Sequence, residues 1–364
     1  MNRYFYYLVI LNMLVNVISY VPQIMTEYRF QGTPAAIVLA VPIGTLLMYA
    51  FMKSLTRFPN KTFPEILDLT FSKVITVPFK LFSGGMWYLA GAISMFAIAD
   101  ITLRYINPDS PTWQVTLLYV AIVIYGASRK ARTILYTLEM LLLLGLPLVC
   151  IIFAKSFLNR AINWDSIIAA GSHINTLPNW VTLAATTYIF SGYLNMSLFG
   201  RAFPQPVKTK WIWLLGLLGF GIQLTTYFIP VGFHGLDGVG SYTYPWVSTA
   251  DSMRIELGFV ERVMYIFLLL YAGISAISIM VHWHTAIEFI KSALPRSKQN
   301  SPWIKWTIFG LFGAIALIIS NYLDQETIFE VGRNWLRIRF AGEMMHVAMT
   351  VYAAKRSSYD KKGM

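Results

Sequence analysis

Charge is scarce in this chain: 13% of its 364 residues are Asp, Glu, Lys or Arg, against 56% hydrophobic residues. A soluble domain carries about a quarter charged residues, so this composition excludes an ordinary water-soluble enzyme and indicates a membrane protein. Cysteine is almost absent. Cys150, alone in the apolar run Leu141 to Ala154, permits no intrachain disulfide and no thiolate metal cluster, and it leaves the redox compartment open. Acids number 17 against 29 bases, for a net charge of +12. In a soluble chain that excess would suggest nucleic acid. Here the basic residues sit between apolar runs, so the expected partner is the lipid bilayer and no nucleic acid.

What is abundant is long apolar sequence. A helix needs about 20 mostly apolar residues to cross roughly 30 Å of hydrocarbon, and ten runs qualify: Tyr4–Met25, Thr33–Lys53, Val77–Ile106, Thr112–Gly126, Thr133–Ala154, Trp180–Gly200, Trp211–Gly232, Phe259–Ile287, Trp303–Ser320 and Leu336–Ala354. The first is longer than a signal-peptide core and lacks a small-residue cleavage pattern, so it is expected to be a retained span. No linker or soluble domain interrupts the pattern, which predicts one transmembrane domain over residues 1–364.

With the N-terminus placed inside, 20 of the 29 basic residues fall on the inner side, Lys208 and Lys298 among them, which predicts cytoplasmic termini. Acids such as Glu27, Asp109, Asp165, Asp237, Asp251, Glu256, Asp324, Glu326 and Glu330 fall outside. Thr62-Phe63-Pro64-Glu65 has the spacing of a capping box and opens a short amphipathic stretch, expected to be a helix on the cytoplasmic interface. The glycine-rich stretch Gly232 to Gly240 follows a span rather than a strand and has no phosphate-binding lysine, so it predicts an outer loop and not a nucleotide site.

Ten spans divide into two sets of five, and a set with an odd number of spans requires its second copy to be inverted. This predicts an all-α 5+5 inverted repeat, with repeat one over about 1–155 and repeat two over about 178–356. In such architectures a ligand sits at mid-membrane where the first helix of each repeat is broken, because backbone groups and half-helix dipoles are freed there. Run one holds Asn16, Ser19 and Tyr20 just before Pro22, which removes a backbone donor. Run six holds Ser191, Gly192, Tyr193 and Asn195, with Gly192 as the weak point. Simple kinking of packed helices accounts equally well for either breaker alone.

Ionisable residues inside spans are costly and therefore informative. Asp100 and Arg104 are four apart and are expected to neutralise each other. Arg339, Glu343 and His346 share one face of run ten, either as an inward packing network or as a proton or ion relay. Glu139 has no charged neighbour along its own helix, so it needs a partner such as Arg339, a proton, or an aqueous cavity. His282 and His284 point to different helix faces and lack a third ligand, so no metal site is expected, nor any cofactor. Ser275, after Gly273, has no base nearby in sequence; no nucleophile and base set emerges, and the chain is not expected to be an enzyme.

Several segments carry a family resemblance: Phe58-Pro59 through Thr62 to Glu65-Ile66 after the second run, Leu103-Arg104 followed by Ser110-Pro111-Thr112-Trp113, Gly126 through Ala131-Arg132, and Tyr244-Pro245 followed by Phe259, Glu261, Arg262 and Val263. In this order and spacing the chain resembles, over nearly its full length, the B subunits of GerA-type spore germinant receptors, the spore permease family of the amino acid/polyamine/organocation superfamily. The resemblance implies a LeuT-like fold and the sensing of a small-molecule germinant, commonly an amino acid, in the spore inner membrane. It also implies companion A-type and lipoprotein C-type receptor subunits. A proton- or sodium-coupled amino acid transporter is the alternative. Ligand contacts are expected at Ser19, Tyr20, Ser191, Gly192 and Tyr193, with Tyr88, Tyr271 and Ser275 completing the pocket because their helices line the same cavity in the resembled fold. The chain departs from the family at Ser128, Leu194 and Met264, where acidic residues are expected, and it has no glycine at the first break before Gly32.

Overall fold

A computed structural model describes residues 3–202, 207–253 and 263–360. Among them the helices are α1 (Arg3–Val15), α2 (Tyr20–Glu27), α3 (Thr33–Leu55), α4 (Phe63–Thr70), α5 (Lys73–Tyr105), α6 (Thr112–Ala127), α7 (Ala131–Phe157) and α8 (Trp164–Gly171). They continue with α9 (Trp180–Tyr188), α10 (Met196–Phe199), α11 (Ile212–His234), α12 (Pro245–Asp251), α13 (Val263–Ala293), α14 (Arg296–Gln299), α15 (Pro302–Tyr322) and α16 (Gln325–Asp360). No strand occurs among the described residues. Glu256 and the segment from Phe259 to Arg262 lie outside them, so the resemblance and the start of the eighth run there have no structural counterpart.

Six helices are long and apolar enough to cross a membrane, and α1 with α2, bent by 51° at their junction, makes a seventh. The other three expected runs differ for physical reasons. Helix α6 has only 16 residues; the run at Trp180–Gly200 is interrupted into α9, a 3-10 turn at Ser191–Asn195 and α10. Helix α16 starts eleven residues before the apolar run Leu336–Ala354, because a cap sets its beginning at Gln325 and its first three turns mix polar with apolar residues. Asp324 caps it, with Oδ1 accepting from the Thr327 amide at 2.8 Å. The Thr327 hydroxyl and amide hold the Asp324 carboxyl below its ordinary range.

Helices α5 and α13 form the most extensive helix pair. Small residues permit it: a Cβ on Gly91 would lie 2.5 Å from the Trp283 ring, and one on Gly84 would lie 2.6 Å from Ile290. The capping box of α4 is formed, with the Thr62 amide donating to Glu65 Oε2 at 2.8 Å. Contacts then join α4 to its neighbours. Glu65 pairs with Arg201 (3.1 Å), Asp68 with the buried Lys80 (2.7 Å), and Arg356 donates to the Thr70 carbonyl (3.0 Å). Basic residues assigned to the inner connections thus meet at one end of the bundle. Elsewhere Glu27 pairs with Arg333 (2.9 Å), and Asp100 pairs with Arg104 as expected (3.0 Å) while accepting from Tyr244 and Gln325. The glycine-rich stretch begins inside α11 and forms a 3-10 turn at Gly238–Ser241.

Candidate functional site

The first break lies between Val15 and Tyr20, earlier than Pro22 itself. Proline at position 22 clashes with the carbonyl four residues back and lacks an amide, so a helix passes through it only if it begins near Tyr20, where first-turn amides are unpaired anyway. Asn16 donates back to the Asn12 carbonyl at 2.7 Å and closes the end of α1.

The second break is served from three directions. Helix α9 ends at Tyr188, and its last carbonyls need donors from outside the helix. Asn12 of α1 donates to the Tyr188 carbonyl (2.6 Å) and the Ile189 carbonyl (3.3 Å), and Gln223 of α11 donates to Thr186 (3.1 Å). Arg339 of α16 donates through Nη2 to the Ala184 carbonyl (2.7 Å) and to Thr187 Oγ1 (3.0 Å). A guanidinium at the carbonyl end of a half-helix also complements its dipole. The Arg339 Nη1 to Glu343 Oε2 distance is 2.5 Å, and Glu343 Oε1 accepts from the Tyr193 hydroxyl at 2.8 Å. One ion pair on α16 therefore straddles the break, its cation on α9 and its anion on the unwound turn.

Gly192 has a different role from the one expected of it. A Cβ there would lie 2.5 Å from the Leu8 carbonyl oxygen and 2.9 Å from Val9 Cα, so the glycine lets the two broken segments touch backbone to backbone. It is a packing position, and bulk added there would push α1 away before reaching a ligand.

Beside this contact lies a cavity of about 40 Å³, enough for a few ordered waters. Ser191, Arg339, Glu343 and His346 line it as a group, together with Asn12, Trp87, Ala90, Tyr188, Leu194, Asn195, His282 and Trp335. The other expected ligand residues lie elsewhere. Ser19 lines a separate gap of about 10 Å³ with Asn16 and Tyr20. Tyr20 packs on Phe329 with ring centroids 4.6 Å apart and also borders a larger cavity of about 170 Å³ under Asp100, Tyr244 and Gln325. Tyr88 turns to α15, donating to the Phe312 carbonyl at 3.1 Å, since its ring stacks against Phe312 (4.3 Å). Tyr271 borders an apolar gap against α7, and its hydroxyl and Ser275 Oγ are buried without a well-formed hydrogen bond.

Glu139 finds its partners away from Arg339 and the α16 face. It accepts from Arg3 Nη2 (2.9 Å) and from the Tyr4 hydroxyl (2.7 Å), tying the start of α1 to α7. Helical spacing cannot show such a partner, which comes from another helix. His282 and His284 also diverge: Nδ1 of the first is 2.7 Å from the Ser278 carbonyl oxygen, and that of the second 3.0 Å from Ala127. Sequence reasoning missed Asn12, Gln223, His282 and the Trp87 to Asn195 hydrogen bond (2.8 Å). A lone amide in an apolar run, as at Asn12 and Gln223, is the signal that would have found two of them.

Comparison with known proteins bears on the whole arrangement. The chain is similar to a nucleobase-cation-symport-1 family transporter solved in a closed conformation with bromovinylhydantoin bound, at 10% identity and a TM-score of 0.51, over 96% of this chain and 90% of that one. A Na+-coupled sialic acid symporter in a substrate-bound outward-open state matches at 14% identity and a TM-score of 0.43, over 96% of this chain and 84% of that one. No individually curated protein sequence matches. The transporter likeness shows the fold, an all-α, LeuT-type membrane bundle. A family model described as "spore germination protein" matches residues 3–328, nearly the whole chain, and this permease-like integral membrane protein belongs to the spore permease family of spore germination proteins.

Proposed function

We propose that this protein is the permease-like subunit of a germinant receptor in the spore inner membrane, sensing a small molecule at the second break and passing the change to companion A-type and lipoprotein C-type subunits. The observation that carries this reading is the buried cavity where α1, α5, α13 and α16 meet the interrupted α9 to α10 span. A small polar ligand within a bilayer needs hydrogen-bonding groups that are not all committed to helices, and this place concentrates them. The same reading takes ten spans in two inverted sets of five, with both termini cytoplasmic, as the separation of basic residues supports.

Ala90 of α5 lines the cavity and makes none of the side-chain hydrogen bonds at the break, so Ala90→Met adds bulk to the space without removing a donor or acceptor. Spores carrying it should lose the response to germinant at normal protein abundance. A normal response at normal abundance would overturn the placement. For orientation, Lys298→Cys with Cys150 replaced should resist labelling from outside. The transporter fold supports a second reading, cation-coupled uptake of an amino acid. Uptake of labelled amino acids into proteoliposomes, driven by a proton or sodium gradient, separates the two.

A further inference from the structure

The cavity of about 170 Å³ under Asp100 lies at the end of the bundle away from α4. Helix α5 meets α4 through Lys80 and reaches Asp100 only about 30 Å further along its axis. The cavity has about four times the volume of the one at the second break, and an apolar cavity of about 150 Å³ is large enough to bind benzene, so this one takes a small organic molecule as well as water. Its lining carries one formal charge, that of Asp100. Three donors crowd onto Oδ2 of that carboxylate: Arg104 Nε (3.0 Å), the Tyr244 hydroxyl (2.8 Å) and Gln325 Nε2 (3.0 Å). A carboxylate has about four acceptor sites spread over two oxygens, and among the described residues none donates to Oδ1. The side chain is 30% exposed, and Tyr244 and Gln325 line the cavity as Asp100 does, so the carboxyl group stands at the cavity wall.

The neutral polar groups do not change the sign of the site. Ser320 donates to the Leu317 carbonyl (3.0 Å) and keeps its lone pairs, while Gln325, with Oε1 taken by Arg104 and Nε2 given to Asp100, retains one N–H. The Tyr20 and Thr112 hydroxyls can each give or take a bond, and Thr116 Oγ1 is fully buried and offers none. Arg104 holds Asp100 without lining the cavity. The rest of the wall is largely apolar, with Phe329 set between the rings of Tyr20 (4.6 Å) and Tyr244 (6.0 Å).

We propose that this cavity is a second binding site, separate from the one at the second break, for a small organic ammonium ion. The ammonium donates to Asp100 Oδ1, and its alkyl body lies against the aromatic wall, whose ring faces also attract a cation. A carboxylate in the same place would meet Asp100 with no cation in the lining to offset it. A bare metal ion needs a cage of several oxygens, which one unshared carboxylate oxygen in a largely apolar wall does not supply. Because Asp100 already joins α5 to Tyr244 and to Gln325 of α16, an ammonium held there sits where these elements meet.

The test uses the full chain in lipid nanodiscs and three probes with one branched skeleton: isobutylamine (a cation at neutral pH), isobutanol (uncharged) and isobutyrate (an anion). Binding is read by ligand-dependent thermal protection at millimolar concentration. Isobutylamine should bind at least about tenfold more tightly than either relative, the effect of one hydrogen bond between charged partners. Asp100→Asn keeps the shape and an acceptor oxygen but removes the charge, and it should weaken the amine about tenfold. Ser320→Leu adds bulk to the lining and touches no charge, and it should weaken the amine as well, so the result does not depend on how well the Asp100 variant folds. Absence of amine binding, equal binding of isobutanol or isobutyrate, or amine binding that survives both substitutions each overturns the proposal. The cavity at the second break shares no lining residue with this one, so such a failure leaves the sensing reading standing.

Discussion

The two interrupted spans solve the same problem in opposite ways. At the first, a proline sets where α2 begins, and a side-chain hydrogen bond from Asn16 within the same span closes α1. At the second no proline intervenes, and the freed carbonyls are met by side chains from α1, α11 and α16. The first break is thus local in origin, fixed by residues within about one turn of it. The second is a tertiary construction, its carbonyls met by side chains of three other helices. A site that responds to a ligand belongs on the second kind, because its geometry depends on contacts that a small molecule can compete for or complete.

The largest test of that contrast is the ion pair. Glu343→Ala leaves the buried Arg339 without its counter-charge and should destabilise the protein by about 3–5 kcal/mol, measured as denaturant resistance in detergent. Replacing Arg339 and Glu343 together with apolar residues should be milder than Glu343→Ala alone, and strictly additive losses would break the pairing. Next comes the backbone contact between the breaks. Gly192→Ala meets the Leu8 carbonyl and should cost about 1–3 kcal/mol. Gly221→Ala in α11, where an added Cβ meets nothing within 4 Å, should be neutral or slightly stabilising.

The amides then compare the two breaks directly. Asn12→Ala, which strips donors from two carbonyls at the second break, should cost about 1–3 kcal/mol, and Asn16→Ala about 1 kcal/mol or less. Equal losses would mean that the first break is as dependent on its side chains as the second. The smallest effect lies outside both. The carboxyl of Asp324 titrates below its ordinary value because Thr327 bonds its charged form. Its capping contribution is therefore complete above the unfolded-state value and is lost as pH falls through the lower, folded-state value. Asp324→Asn should flatten that acid-side loss and leave behaviour at neutral pH nearly unchanged, read by thermal unfolding across an acid series.

How legible this was in the sequence follows the same division. Apolar run lengths located the six long apolar helices and the bent α1–α2 pair, and the capping box at Thr62 and Glu65 formed as its spacing requires. The face shared by Arg339, Glu343 and His346 was visible because four and three residues bring side chains together within one helix. Partners on other helices were not visible in that way: Glu139 goes to Arg3 and Tyr4, and Tyr88 goes to α15 instead of the cavity. Which way a side chain turns depends on the packing of neighbours, and no periodicity within one run encodes it. Proline marked the first break to within a few residues. Gly192 marked the second, but its reason for being glycine, the approach of Leu8 and Val9, lies 180 or more residues away along the chain.

Helix α16 extends over 36 residues, about 54 Å at about 1.5 Å per residue, far longer than the roughly 30 Å of a bilayer's hydrocarbon. Near one end Gln325 meets Asp100, in the middle Arg339 and Glu343 hold the second break, and near the other end Arg356 meets α4. It works as a camshaft, with three lobes fixed at set angles on one rigid axis. Because each residue turns a helix by about 100°, a single residue inserted between Glu343 and Arg356 leaves the Gln325 and Glu343 lobes in phase and swings the Arg356 lobe away from Thr70. The phase of the shaft, more than the strength of any single contact, sets how the cavity wall and the face where α4 lies are held relative to each other.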